Sequence, residues 1–149
     1  MTHMLPPRTI LVPVDFGPAS ESALAEAISL ARTFGAELHV FHAFALPPAG
    51  VGDFSFQLAV NASSQIVAEA TRDVSRMTSK YDDGKIAIHV VLEEGDPSKT
   101  ILACAERVGA DLIVMGTHAR EGLARVLIGS TTEAVIRTSP IPVLSVRAR

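Results

Sequence analysis

The chain has 149 residues, 48% of them apolar and 19% charged, and a formal net charge of −3. This length fits one domain over residues 1–149 with a full hydrophobic core. Weak acidity with no Lys or Arg run longer than two excludes a general pull toward nucleic acid or anionic membrane. No apolar run approaches the roughly 20 residues that span a bilayer. The opening Met1-Thr2-His3-Met4-Leu5-Pro6-Pro7 lacks the charged and apolar regions of a secretory signal. The expected location is the cytoplasm. The low charged share hints that a second copy covers part of the surface.

Thr9 to Val14 is nearly continuous in apolar character, as in a strand buried on both faces. Gly17-Pro18 opens a helix whose stripe is Ala23, Ala27, Leu30 or Ala31, and Phe34, and Gly35 stops it. Leu38 to Phe44 reads as the second strand, followed by a Pro- and Gly-rich loop over residues 45–52. A second helix is expected from about Phe56 to Tyr81, with the stripe Ser63, Val67, Ala70, Val74, Met77 and Tyr81. Ile86 to Leu92 alternates more, which suggests an edge position or one poorly covered face.

Asp96-Pro97 supplies a cap and first residue for the third helix, with core face Ile101, Ala105 and Val108 and a stop at Gly109. The single cysteine, Cys104, lies on this stripe and reads as a small core hydrophobe. Asp111 to Gly116 is the fourth strand, and a loop of about a dozen residues follows. Ser130-Thr131-Thr132-Glu133 has capping-box spacing for the last helix. Pro140-Ile141-Pro142 leads into a fifth strand, Val143 to Val146. Such alternation implies a doubly wound α/β fold: a five-stranded parallel sheet with helices on both faces, flavodoxin- or Rossmann-like.

Ligands of open α/β sheets bind outside the carboxyl ends of the strands, where the winding reverses. Two segments stand out there. Pro13-Val14-Asp15 places a carboxylate after the first strand, able to meet a ribose hydroxyl or adenine amino group, or to form a local Asx turn. The second segment runs from Met115-Gly116-Thr117-His118-Ala119 to Gly129-Ser130-Thr131. It pairs glycines with a helix start whose N–H groups attract phosphate. It is neither a Walker loop nor a G-x-G-x-x-G turn.

At these residues the chain resembles the universal stress protein family over nearly its whole length. The resemblance is carried by Ile10 to Phe16 with Ser20, Leu38 to Ala43, Gly95-Asp96-Pro97, Ala110 to His118 and Ser139 to Leu144. ATP-binding members carry a glycine, two residues, a second glycine, nine residues, then glycine with serine or threonine. Here Gly116 and Gly129-Ser130 fill the outer places, and Ala119 replaces the second glycine. A left-handed backbone at Ala119 would cost about 1–2 kcal/mol, a right-handed one almost nothing.

The resemblance implies ATP as ligand, with Mg²⁺ held mainly through phosphate oxygens and water. Asp15 would face adenine or ribose, beside Pro13 and Val14, and the main chain of Ala43 would meet the adenine. Met115, Gly116, Thr117, His118, Ala119, Gly129, Ser130 and Thr131 would surround ribose and phosphates. Arg120 and Arg125 are further candidates for phosphate. A homodimer is expected through Ile141 to Val146, whose sheet edge needs cover. No general base for water presents itself, so binding rather than catalysis is expected, with weak ATP hydrolysis left open. The alternative is a nucleotide-free dimeric interaction module of the same fold. His39 and His42 are three apart and point to opposite faces, and His89 stands alone, so no metal site is expected.

Overall fold

The computed structural model describes residues 6–117 and 128–148. Among these residues nine elements alternate: β1 Thr9–Pro13, α1 Pro18–Phe34, β2 Glu37–Phe44, α2 Asp53–Ser79, β3 Ile88–Glu94, α3 Pro97–Val108, β4 Leu112–Thr117, α4 Ser130–Thr138 and β5 Val143–Arg147. All strand pairings are parallel and the sheet order is β3-β2-β1-β4-β5. Of the two doubly wound orders, this is the Rossmann-type one, with the winding reversed between β1 and β4.

Every residue of β1 is buried, as its continuous apolar run demands for the central strand. One face of the sheet packs Ile10, Val12, Leu38 and Val40 against Ala23, Leu24, Ala27 and Ile28 of α1 and Val74 and Met77 of α2. The other packs Leu11, Phe41 and Ile113 against Ile101, Cys104 and Ala105 of α3 and Val135 of α4. Burial pushes the Cys104 thiol up from its usual value, against the opposing pull of the Arg107 guanidinium.

The chain stops follow the residues. Gly35 and Gly109 cap α1 and α3 at φ 69° and 66°, a left-handed turn that favours glycine. The Asp96 carboxylate accepts the Lys99 N–H at 3.1 Å and caps α3. β3 is an edge strand, as its alternation suggests, and begins two residues later than expected. Asp111 lies before β4, where its carboxylate accepts the N–H groups of Arg8 and Thr9 and ties down the start of β1.

Three helix readings are corrected. Phe34 is 42% exposed, and Leu24 and Ile28 fill the core beside Ala23 and Ala27. α2 starts at Asp53, and only its carboxyl half packs: Ala70, Val74, Met77 and Thr78 are buried, while Phe54, Phe56, Leu58, Val60 and Val67 face outward. Ser130 is the first residue of α4 and Gly129 its cap, so the capping box does not form. Glu133 pairs instead with Arg137 one turn on, at 2.9 Å.

Candidate functional site

The turn after β1 is built around Asp15. Its Oδ1 accepts the Gly17 N–H at 3.0 Å and the Ser20 hydroxyl at 2.7 Å, and Ser20 Oγ accepts the Asp15 N–H at 2.9 Å. The Asx-turn reading of Asp15 is therefore realised, with Ser20 as its second half. Between them Phe16 takes a left-handed conformation, φ 66°, uncommon without glycine. Its ring lies against His42, centroids 4.4 Å apart. His42 Nδ1 is 2.8 Å from the Val14 carbonyl oxygen, which can only accept, so the proton sits on Nδ1.

Gly116 follows the buried Ile113, Val114 and Met115 of β4, where the first turn of α1 crosses the strand. A Cβ there would stand 2.5 Å from the carbonyl carbon and oxygen of Ala19 and 2.8 Å from the Ser20 nitrogen. Helix packing alone therefore demands glycine at 116. Thr132 Oγ1 donates to the Gly116 carbonyl at 3.1 Å and anchors α4 over the same spot.

These contacts frame a cavity of about 240 Å³ between the carboxyl ends of β1 and β4. Pro13, Val14 and Asp15 form one wall, Ala43 a second, and Met115, Gly116, Gly129, Ser130 and Thr131 a third. Thr117 is not on the lining: it is buried, and its hydroxyl donates to the Val146 carbonyl at 3.3 Å. His118, Ala119, Arg120 and Arg125 lie outside the described residues.

Sequence reasoning missed Ser20, Phe41, His42, Pro97, Ile101 and Thr132 on the lining. Ser20 was visible as a hydroxyl five residues after Asp15, the spacing of a strand-to-helix bend. Pro97 and Ile101 come from the start of α3, whose approach depends on sheet order.

Chemically the cavity offers an apolar slot and a helix start. Gly129 brings no side chain to the first N–H groups of α4, so Ser130 and Thr131 present amides and hydroxyls under the positive end of the helix. Among the described residues, the titratable groups on the lining are Asp15 and His42, and both are held in structural hydrogen bonds.

Known proteins are similar to this chain. The universal stress protein family model matches residues 7–147. The universal stress protein MJ0531 of Methanocaldococcus jannaschii is 34% identical, over 94% of this chain and 82% of its own. The solved structure of MJ0577 superposes with a TM-score of 0.78 at 25% identity, covering 95% of this chain and 96% of that one. A universal stress protein solved in complex with cAMP gives 0.64 at 22% identity, covering 96% and 98%. No helix among the described residues is long and apolar enough to cross a membrane. With the family model matched over residues 7–147, the chain belongs to the universal stress protein family.

Proposed function

We propose that this chain is a cytoplasmic, homodimeric binding protein for an adenine nucleotide, with ATP as the ligand. The observation that carries the reading is the cavity at the β1–β4 reversal, which sets an apolar slot beside a helix start capped without a side chain. Its 240 Å³ falls just below the ~300–1,000 Å³ of small-molecule pockets. Adenine fits the slot between Val14 and Ala43, and phosphates reach the N–H groups of Ser130 and Thr131. Mg²⁺ is carried on phosphate oxygens and water. That a fold relative was solved with cAMP supports an adenine ligand for this scaffold.

The protein binds rather than transforms its ligand. Asp15 and His42 are committed to holding the turn, which leaves neither placed as a base for water. Dimerisation uses Ile141 to Val146 at β5, the last strand of the sheet, where Leu144 is exposed.

A second reading, the nucleotide-free dimeric module, is favoured by one observation. Gly116 answers to helix packing, so its presence alone does not mark a phosphate site. Mass spectrometry of gently purified protein for retained nucleotide, with melting curves in ATP and Mg²⁺, separates the two. Saturation at 100 times the dissociation constant adds about 2.7 kcal/mol. No nucleotide and no shift at millimolar ATP would select the module.

A further inference from the structure

The amino-terminal end of β2 carries a second group of side chains that nucleotide binding does not use. Glu37 and His39 are two residues apart on one strand and so project from one face. The register sets His39 beside His89 of β3 and Glu37 beside Thr9 of β1. All four lie on the face that packs α3, with His39 about 13 Å and Glu37 about 20 Å along β2 from Ala43 by the rise of a strand. The proposal is therefore independent of the nucleotide reading.

The imidazoles of His39 and His89 stack with centroids 4.6 Å apart and planes 25° apart. Nε2 of His39 lies 3.5 Å from Oε1 of Glu37, and Nε2 of His89 lies 3.5 Å from Oε2. These separations are long for N–H···O hydrogen bonds, which cluster at about 2.9–3.0 Å. Each compares with one edge of a tetrahedron around zinc, where bonds of about 2.0–2.2 Å put neighbouring ligand atoms about 3.3–3.6 Å apart, and the two imidazoles reach the two oxygens of one carboxylate. The candidate ligand atoms of the three residues all fall within 4.8 Å of one another.

We propose that Glu37, His39 and His89 form a binding site for a divalent late transition-metal ion, Zn²⁺ fitting the two imidazoles and one carboxylate best. Both imidazoles ligate through Nε2. Thr9 Oγ1, which donates to Glu37 Oε1 at 3.2 Å, orients the carboxylate from behind. The His89 side chain is 50% exposed, so the ion reaches the site from solvent at the sheet edge. Three protein ligands leave a fourth position open to water, the pattern of exchangeable rather than closed structural sites.

The Nδ1 of His39 is buried without a hydrogen-bond partner among the described residues. Ligation through Nε2 sends the ring proton to that nitrogen. A missing outer-shell acceptor weakens such sites by about 10–100-fold. The affinity is therefore expected in the micromolar range.

The test is titration of EDTA-stripped, full-length protein with Zn²⁺ by calorimetry, for wild type, His89→Ala and Glu37→Gln. One ion per chain is expected in the wild type, with affinity falling at least about tenfold in each variant. Co²⁺ titration should give visible absorption bands in the wild type that fade in His89→Ala. Circular dichroism verifies each fold; if one variant misfolds, the other decides. No binding at sub-millimolar Zn²⁺, or binding unchanged in a folded variant, overturns the proposal.

Discussion

Ser20 and Asp15 hold each other twice: the Ser20 hydroxyl donates to Oδ1 at 2.7 Å and accepts the Asp15 N–H at 2.9 Å. This reciprocal pair fixes both the exit of β1 and the entry of α1. Ser20 is only 5% exposed, and its removal deletes two hydrogen bonds, one of them to a carboxylate. Ser20→Ala should cost about 1–3 kcal/mol and lower the melting temperature by about 2–4 °C for each kcal/mol. A melting curve unchanged from wild type would show the pair to be idle.

Asp15 separates turn from ligand. Asp15→Asn keeps an oxygen for Gly17 and Ser20 and removes the charge, whereas Asp15→Ala removes both. The alanine variant should melt well below the asparagine variant. ATP affinity should fall about tenfold in Asp15→Asn, about 1.4 kcal/mol, if the carboxylate meets adenine or ribose. Calorimetric titration with ATP reads the second quantity directly.

Gly116 and Gly129 should respond in opposite ways. Gly116→Ala forces a methyl into the Ala19 backbone and should cost about 1–3 kcal/mol by overpacking, seen in urea unfolding. Gly129 sits at φ −58°, open to any residue, and caps α4 without a side chain. Gly129→Asp should leave stability equal or raise it by a few tenths of a kcal/mol. The same change places a carboxylate where phosphate should sit, so ATP affinity should drop by more than about tenfold. A variant that melts higher and binds ATP equally well would remove phosphate from the start of α4.

Asp96 makes the acid limb of stability partly its own. The Ser98 hydroxyl, then the Lys99 N–H, holds its carboxyl below the usual range. A depressed folded value adds stability above the unfolded value and loses it as pH falls through the folded one. The loss therefore sets in below the ordinary aspartate value of about 3.9. Asp96→Ala should flatten the stability curve in that window and lower stability at neutral pH, while Asp96→Asn keeps the cap at neutral pH and loses the acid dependence.

Cys104 should be inert in the folded protein. It is fully buried, and burial pushes its thiol up, so little thiolate exists at neutral pH. Labelling with a thiol reagent should be slow in buffer and fast in denaturant. Rapid native labelling would place the thiol at the surface.

Much of this was legible in the residues. Gly35, Gly109 and Asp96 act locally, within one turn of a helix end, and local rules placed them. The cavity was legible because strand ends and a helix start are where α/β folds bind. What escaped depends on partners far along the chain. His39 and His89 meet only through the β2–β3 register, which periodicity does not encode. Gly116 reads as a phosphate glycine until α1 is laid across β4. At Ser130 two adjacent residues could cap α4, and the backbone chose glycine. Val67 lies on the expected α2 stripe yet is exposed, because the stripe meets the core only from Ala70 onward among the described residues.

The central place of β1 has a consequence for how this molecule breathes. Ile10, Leu11 and Val12 are fully shielded, between β2 and β4 and under both helical layers. Their amides should be among the last to exchange with deuterium, opening only when the whole molecule unfolds. Val14 and Asp15 follow directly, so the wall that meets a ligand begins where the most slowly exchanging segment ends. The pocket thus inherits a rigid floor from the sheet, and adjustment on binding falls to the helix starts that line it, those of α3 and α4.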